Sequence, residues 1–298
     1  MRILNFGSLN LDFVYSVSHI AMPGETISSD GLNLFRGGKG LNQSIAMARA
    51  GLSVYHAGMV GPDGGPLLAA CAENGVNTDY IAEVSERSGN AIIQVSADGQ
   101  NSIILFGGAN QENARERVDK TLSHFGEGDI LLLQNEVNLL DYMIDAAAER
   151  KLQIFLNASP YNERLGRCDL SKVSLFFINE VEGAQLTGES HPENILAVVR
   201  ERYPRADVAL TLGADGAMYL REGMVYRHPA YDVPVADTTA AGDTFTGYFI
   251  AALVEGRTAD EALSLASRAA AISISRAGAE ASIPYRVEVD NAALSAKR

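Results

Sequence analysis

The chain has 298 residues, of which 47% are hydrophobic and 20% are charged. These fractions are typical of a globular protein and exclude a disordered one. The length suits one large α/β domain over residues 1–298, or one domain plus a small appendage. A formal net charge of -13 disfavours a nucleic-acid partner, because phosphate backbones are bound by clustered Lys and Arg side chains.

No segment of the sequence suggests export or a membrane partner. Residues 1–7 contain one basic side chain but no apolar run of signal-peptide length. The longest apolar stretches, 130–133 and 248–254, are too short to cross a bilayer. We therefore expect a cytoplasmic protein.

Two hydrophobic periodicities alternate along the chain. The sequence predicts strands at Ile3–Phe6, 130–133, 152–157, 175–178 and 208–212, and helices at 40–50, 139–150 and 192–203. Strands that alternate with helices predict a doubly wound, mostly parallel sheet flanked by helices. In such folds, ligands bind at the carboxyl ends of the strands.

Two segments depart from this alternation. Residues 11–36 and 88–107 carry β-type side chains and turn signals, Pro23-Gly24 and Asp98-Gly99, without intervening helices. They predict strands and hairpins that stand apart from the main sheet. A small flap over an active site and an ordinary antiparallel extension both fit this pattern.

Asn10 and Asp12 follow the first predicted strand. Strand alternation turns both side chains to the same side, and a carboxylate that accepts hydrogen bonds from neighbouring hydroxyls is a common way to hold a sugar. A solvated loop aspartate is the alternative, and these residues alone favour it.

A glycine-rich turn, RGGKGLNQ at residues 36–43, opens the first predicted helix. A phosphate-binding P-loop would need Gly where this chain has Asn33, and Ser or Thr where it has Gly40. The remaining interpretation is a turn whose backbone approaches a small polyol, while Lys39 and Asn42 bind its hydroxyls. A plain flexible turn is the alternative.

Two further motifs lie at predicted strand ends. Asn179 could reach a phosphate, and Glu182, three residues later, could hold a water molecule of hydrated Mg²⁺, although both residues also suit helix capping. Thr211, Gly213 and Gly216 belong to a strand-end turn whose glycines allow close approach of a nucleotide.

The most specific local motif is DTTAAGDTF at residues 237–245, which is followed by an apolar helical run. In the first turn of that helix, the amides of Ala241, Gly242 and Asp243 can point together and form an anion hole. The Asp243 carboxylate could then accept a proton from a substrate hydroxyl beside a γ-phosphate. Ordinary helix capping is about equally compatible with this motif alone.

Several other chemistries are disfavoured. The five histidines show no pair at metal-ligand spacing, and Cys71 and Cys168 stand alone. The sequence has no G-x-S-x-G nucleophile elbow and no G-x-G-x-x-G after its first strand. Zinc chemistry, Ser-His-Asp hydrolysis and a nicotinamide cofactor are therefore not predicted.

The order of the motifs is more specific than any one of them. From the first strand onward, Asn-x-Asp is followed by Gly-Gly-Lys-Gly-x-Asn, Asn-x-x-Glu, Thr-Leu-Gly-x-x-Gly and Asp-Thr-Thr-x-Ala-Gly-Asp-Thr-Phe. This order resembles the ribokinase (PfkB) family of carbohydrate kinases along essentially the whole chain. The resemblance implies a ribokinase-like α/β fold, with a β-sheet lid formed by residues 11–36 and 88–107. It also implies an ATP-dependent kinase that phosphorylates a sugar, with D-ribose at its primary hydroxyl as the expected acceptor.

The resemblance also implies roles for individual residues. Asp243 is the expected catalytic base, and Ala241 and Gly242 form the anion hole with it. The expected sugar contacts are Asn10, Asp12, Gly38, Lys39, Asn42, Glu136 and Asp243. The expected ATP contacts are Asn179, Thr211, Gly213, Gly216, Ala241, Gly242 and Ser267, and Mg²⁺ is expected near Glu182. A monovalent cation, usually K⁺, is expected beside Asp237, Thr239, Ser273, Arg276, Gly278 and Ser282.

Two departures from the family pattern concern the nucleotide site. Ser267 stands where ribokinases tend to carry Asn, and Ala240 stands where the wider family tends to carry Gly.

The resemblance further implies a homodimer through the lid. A nucleoside or pseudouridine kinase of the same family and a catalytically idle sugar-binding protein remain the alternatives, and the intact Gly242-Asp243 pair disfavours the second.

Overall fold

The computed structural model describes residues 1–297. In chain order its strands are β1 Ile3–Phe6, β2 Asn10–Val17, β3 Gly31–Gly37, β4 Val54–Val60, β5 Asn77–Glu83, β6 Gly89–Ser96, β7 Asn101–Phe106, β8 Ile130–Gln134, β9 Gln153–Asn157, β10 Leu175–Asn179, β11 Asp207–Thr211, β12 Ala217–Arg221 and β13 Met224–His228. Its helices are α1 Lys39–Arg49, α2 Gly65–Glu73, α3 Arg115–Leu122, α4 Leu140–Glu149, α5 Glu180–Thr187, α6 Pro192–Arg202, α7 Ala241–Val254, α8 Ala259–Ile274 and α9 Arg286–Asn291. None of the helices within residues 1–297 is long and apolar enough to cross a membrane.

The main sheet has nine strands in the order β13-β12-β11-β10-β9-β8-β1-β4-β5. All neighbours from β5 to β11 pair in parallel, whereas β12 and β13 pair antiparallel at one edge. The predicted doubly wound, mostly parallel sheet is therefore confirmed. The antiparallel edge was not predicted. It depends on a two-residue turn in which Glu222 and Gly223 both have positive φ, a tight hairpin geometry that is compatible with the strand twist.

Strand residues alternate between two buried layers. Leu131 and Leu133 of β8 pack in a cluster with side chains of α3, α4, α5 and α6. Ile130 and Leu132 of the same strand pack in a second cluster with α7 and α8. Burial on both faces explains why such strands appear in the sequence as continuous apolar runs.

The remaining strands form a separate four-stranded sheet in the order β3-β2-β6-β7. β2 and β3 pair antiparallel, as do β6 and β7, and β2 joins the two pairs by a parallel ladder with β6. This pairing places Asp12 beside Phe35 and Ala91, and Phe13 beside Leu34. Because side chains alternate along strands, Asp12 and Phe13 belong to opposite faces of this sheet.

Candidate active site

A cavity of about 800 Å³ lies between the carboxyl ends of the main-sheet strands and the four-stranded sheet. Asn179 and Thr211 reach it from the ends of β10 and β11, and Phe35 and Ala91 line it from the other sheet. The predicted site residues that line this cavity are Asn10, Asp12, Gly38, Lys39, Asn42, Glu136, Asn179, Glu182, Thr211, Asp237, Thr239, Ala241, Gly242, Asp243 and Gly278. Side chains far apart in the sequence thus share one space.

The first turn of α7 forms part of the wall of this cavity. Ala240 precedes the helix in a left-handed conformation, with φ of 60°. The amide of Ala241 lies 3.3 Å from the Thr238 carbonyl oxygen, whereas the amides of Gly242 and Asp243 have no hydrogen-bond acceptor within residues 1–297. Free amides at a helix start attract anions, because the helix dipole adds to their partial positive charge.

Asp243 is held at this wall by two amide side chains. Its carboxylate accepts hydrogen bonds from Asn42 Nδ2 at 3.0 Å and from Gln43 Nε2 at 2.9 Å. Only 7% of the residue is exposed. The buried Oδ1 of Asn42 has no hydrogen-bond partner in the part of the chain that the structure describes. An unpartnered acceptor on a cavity-lining residue suits a ligand that brings its own donor.

Lys39 supplies positive charge to the cavity. Burial alone would lower the pKa of Lys39, but the negative charges of Asp243, Glu136 and Glu182 together raise it above its ordinary value. The ammonium group is therefore charged at neutral pH. The cavity holds a cation among carboxylates, an arrangement that can balance the charge of a phosphate.

Asp12 and Glu136 lie close enough to affect each other. Burial, together with the negative charge of Glu136, raises the pKa of Asp12 to about 7. Glu136 accepts hydrogen bonds from the Lys39 amide at 3.1 Å and from the Ser8 hydroxyl. Asn10 accepts a hydrogen bond from Asn110 Nδ2 at 2.7 Å. The polar side chains along this wall are thereby held in place before a ligand arrives.

The turn before α1 requires glycine at position 38. Gly38 has φ of 94°, and an added Cβ would lie 3.0 Å from the Asn10 nitrogen and 3.1 Å from the Ser8 carbonyl oxygen. A larger residue would therefore push the turn away from β2. Glycine at this position allows the close approach of the turn to the backbone of Ser8 and Asn10, and it leaves the Gly38 backbone at the cavity.

A second cavity of about 350 Å³ adjoins the first. The residues of the predicted ATP site that line it are Thr211, Gly213, Gly216, Ala241, Gly242 and Ser267. Much of the remaining wall is apolar and consists of Val233, Val235, Ala270, Ala271 and Ile274. Ala241 and Gly242 also line the larger cavity. The two spaces therefore meet at the start of α7.

Asn179 and Glu182 form a capping box at the start of α5. The Glu182 amide donates to Asn179 Oδ1 at 2.9 Å, and the Asn179 amide donates to Glu182 Oε2 at 2.9 Å. The second carboxylate oxygen, Oε1, makes no hydrogen bond to residues 1–297. Within the same residues, no group of three or more His, Cys, Asp or Glu side chains could hold a metal ion by itself.

The residues predicted to surround a monovalent cation fall into two groups. Asp237 accepts hydrogen bonds from the Thr239 amide at 2.9 Å and from the Gly278 amide at 2.9 Å, which connects the two segments beside the cavity. The side chains of Ser273, Arg276 and Ser282 do not line either cavity. Their partners lie elsewhere: Ser273 Oγ is 2.9 Å from Ser282 Oγ, and Arg276 Nη2 donates to Glu288 at 2.6 Å.

The sequence did not identify three residues that support this site: Ser8, Gln43 and Asn110. Ser8 contacts Glu136, and Asn110 contacts Asn10, across one hundred or more residues of chain, so no local pattern marks them. Gln43 gave a weak signal. It belongs to a run of three polar residues, 42–44, inside a helix whose next residues are apolar.

The chain is similar to known proteins over nearly its whole length. Residues 2–286 match the model of the pfkB family of carbohydrate kinases. A ribokinase from Haemophilus influenzae is 37% identical over 291 residues, which cover 95% of this chain and 95% of that protein. A ribokinase structure from Cryptococcus neoformans in complex with ADP shares 34% identity with a TM-score of 0.83, over 97% of this chain and 98% of that one. A structure of Arabidopsis thaliana ribokinase complexed with ribose and ATP shares 30% identity with a TM-score of 0.82, over 97% of each chain.

Proposed function

Because the chain belongs to the pfkB family of carbohydrate kinases, we propose that it transfers the γ-phosphoryl group of ATP to the primary hydroxyl of D-ribose. The observation that supports this proposal most strongly is the junction of the two cavities at the start of α7, with Asp243 in the larger one. A carboxylate at that junction can meet a hydroxyl from one side and a phosphate from the other. The ribose-bound and ATP-bound relative supports this choice of substrates.

In the proposed reaction, Asp243 accepts the proton of the attacking hydroxyl. The hydroxyl oxygen forms a new bond to the γ-phosphorus while the bond to the bridging oxygen of ADP breaks. The free amides of Gly242 and Asp243 and the charged Lys39 face the charge that develops on the phosphoryl oxygens. Positioning and electrostatics supply most of the catalysis in such a transfer.

The larger cavity would bind the sugar. Asp12 and Glu136 offer carboxylate oxygens to hydroxyl donors, and Asn42 offers its unpartnered Oδ1. Asn10 and the backbone of Gly38 complete the expected contacts. The match between several acceptors and a ligand with several hydroxyls supports a free sugar as the acceptor.

The smaller cavity would bind the nucleoside part of ATP. Its apolar walls suit a flat base, and Gly213 and Gly216 leave room for the nucleotide near Thr211. Asn179 lies at the wall of the adjoining cavity, where phosphates would pass. Ser267 offers one hydroxyl to the base.

Mg²⁺ would be held near Glu182. Magnesium usually binds one or two carboxylates together with phosphate oxygens and water, and Glu182 Oε1 is a carboxylate oxygen without a hydrogen bond to residues 1–297. When bound with ATP, the ion would neutralise phosphate charge. These features fit the ion without requiring a cluster of protein ligands.

K⁺ would bind beside the Asp237–Gly278 contact. This contact brings the segments 237–239 and 276–282 together next to the start of α7. Ser273, Arg276 and Ser282 would contribute through main-chain atoms, since their side chains have other partners. Replacing K⁺ by tetramethylammonium should lower kcat, and equal rates in the two salts would exclude this site.

We place the homodimer interface on the outer apolar face of the four-stranded sheet. This face consists of Leu32, Leu34, Ile92, Ile104 and Phe106, which are between 42% and 62% exposed. Apolar patches of this kind commonly mark protein interfaces. Light scattering should give twice the mass of one chain, and Ile104→Lys should give a monomer, whereas Val287→Lys on α9 should remain dimeric. A monomeric wild type would contradict this interface.

The cytoplasmic location stays a prediction.

A substrate panel with Mg·ATP and K⁺ tests the proposed function. The panel should contain D-ribose, 2-deoxy-D-ribose, other pentoses, hexoses, nucleosides and pseudouridine, with ADP release and sugar phosphate measured together. We expect the highest kcat/KM with D-ribose. Preference for a nucleoside would favour the alternative within the family, and sugar binding without any turnover would favour an idle sugar-binding protein.

A further inference from the structure

A chain of buried amide side chains leads from the main sheet to Asp243. Asn5 on β1, Gln43 on α1 and Gln134 on β8 are all 0% exposed. Gln134 Nε2 donates to Asn5 Oδ1 at 2.8 Å and to Gln43 Oε1 at 2.7 Å. Gln43 Nε2 then donates to Asp243 Oδ1 at 2.9 Å. The chain therefore ends on the carboxylate that the proposed reaction uses as its base.

The direction of every hydrogen bond in this chain follows from one backbone atom. Asn5 Nδ2 donates to the Gly40 carbonyl oxygen at 2.7 Å, and a carbonyl oxygen can only accept. Asn5 must therefore present its oxygen to Gln134, which must donate to Gln43. Gln43 Oε1 is thus an acceptor, so its amide group faces Asp243 as a donor. None of the three side chains can rotate its amide without breaking a buried hydrogen bond.

We propose that Gln43 is a positioning residue for phosphoryl transfer, which fixes the Asp243 carboxylate in the orientation that accepts the hydroxyl proton. The inference rests on the proposed function of Asp243. Asn42 holds the other carboxylate oxygen, but its own Oδ1 is left for a ligand. Gln43 has no such second role, because Gln134 occupies its oxygen and no atom of Gln43 lines either cavity.

Gln43→Met tests this inference by kinetics. Methionine keeps the length of the side chain and its helix propensity but cannot donate a hydrogen bond. We expect kcat with ribose to fall about 10-fold to 100-fold, since small misplacements of a catalytic group have effects of that order. The KM values for ribose and ATP should change less than about twofold, because Gln43 contacts neither ligand site.

Ser44→Ala is the matched control. Ser44 is the next residue on α1, is also buried, and accepts a hydrogen bond from Asn5 Nδ2 at 2.8 Å. Its loss leaves the Asn5 bond to Gly40 in place, so the amide chain keeps its direction. We expect kcat within about twofold of the wild type and some loss of stability. Equal losses of kcat in Ser44→Ala and Gln43→Met would show a general packing effect and overturn the inference.

Gln43→Glu adds a readout that a structural role would not produce. When protonated, the introduced carboxyl can donate to Asp243 as the amide does; when ionised, it loses the donor and repels Asp243. A second carboxyl beside Asp243 should titrate well above its ordinary range. Two other titratable groups lie nearby. Lys39, one turn earlier on α1, is charged, whereas His56 stays neutral because burial lowers its pKa to about 4.

We expect kcat of Gln43→Glu to decline relative to the wild type as the pH rises from about 6 to about 9. A constant ratio of the two kcat values over that range would contradict a positioning role, even if Gln43→Met does not fold. Asp243→Asn separates the two claims. If that variant is inactive while Gln43→Met is normal, only the present inference fails; if Asp243→Asn is fully active, the proposed base is wrong.

Discussion

The two cavities that meet at the start of α7 have opposite chemical character. The larger is lined by carboxylates and amides around a half-buried lysine, whereas the smaller has a largely apolar wall of small side chains. Charged and amide groups in fixed positions can select a ligand by its hydroxyls, while a smooth apolar wall selects mainly by shape. If each cavity binds the ligand proposed for it, acceptor choice and nucleotide choice are separable in this molecule. Substitutions can therefore address one cavity, the other, or the junction.

Asp243→Asn at the junction should have the largest effect. The amide cannot take a proton from the hydroxyl, so kcat should fall roughly 10²-fold to 10⁴-fold while ribose and ATP still bind. Steady-state kinetics and titration calorimetry would measure both properties. The matched control is Asp260→Asn, which changes an exposed aspartate in the first turn of α8. Its kcat and ligand binding should equal those of the wild type. A kcat near the wild-type value in Asp243→Asn would remove the assigned base.

Asp12→Asn should weaken ligand binding in the larger cavity alone. An ionised carboxylate that accepts from hydroxyls contributes roughly 1.5 to 3 kcal/mol per hydrogen bond, so the KM for ribose should rise about 30-fold. The KM for ATP should stay within about twofold. Asp98→Asn, in the exposed turn of the same sheet, should leave both values unchanged. An equal rise in both KM values would show that the two cavities are not independent.

The pH dependence of ribose binding offers a second test of Asp12. Burial and the charge of Glu136 raise the pKa of Asp12 to about 7, so the carboxyl is protonated below that pH and ionised above it. If the ionised form holds the hydroxyls, ribose affinity should increase roughly tenfold from about pH 6 to about pH 8. Calorimetric titrations of the wild type should show this rise, and Asp12→Asn should show none. Affinity that falls over this range would reverse the assignment.

Ser267→Asn should change ligand binding in the smaller cavity alone. Its effect should be weaker than that of Asp12→Asn. A new amide near the base can add about one hydrogen bond, worth roughly 1 kcal/mol, so the KM for ATP should fall about fivefold. The KM for ribose should not change. Competition between ATP and GTP would show whether the amide also sharpens base selection. A change in the KM for ribose would be evidence against separate cavities.

Ala240→Gly should have the smallest effect, on stability. Alanine at φ of 60° is strained by roughly 1 to 2 kcal/mol, and glycine relieves this strain but gives the unfolded chain more freedom. The net gain should be about 0.5 to 1 kcal/mol, visible as a slightly higher Tm in calorimetry. A lower Tm would show that the left-handed turn is not strained.

The core of the fold could be predicted because burial on both faces leaves continuous apolar runs. β1 was predicted with its observed bounds, and the helix predicted at 192–203 differs from α6 by one residue. The edge strands β12 and β13 were missed, because the turn that pairs them depends on an unusual conformation of Glu222. Hydrophobic periodicity carries no signal for such a turn.

From its residues alone, the candidate site could be predicted only where they lie in local motifs, whereas Glu136 and Ser267 came from the family resemblance. Asp243 and Lys39 each belong to a short motif in the first turn of a helix. Both residues line the larger cavity. Gln43 is different, because its contact with Asp243 joins residues 200 positions apart. A hydrogen bond of that kind depends on the packing of α1 against α7, which the sequence does not display.

The most direct test of the central claim is a binding competition with a single molecule that joins both substrates. In such a compound, the primary oxygen of ribose is linked to the terminal phosphate of an adenosine polyphosphate. If the cavities meet at the start of α7, protein saturated with this compound should bind neither ribose nor a non-hydrolysable ATP analogue in calorimetry. Full binding of either ligand to the saturated protein would contradict the account.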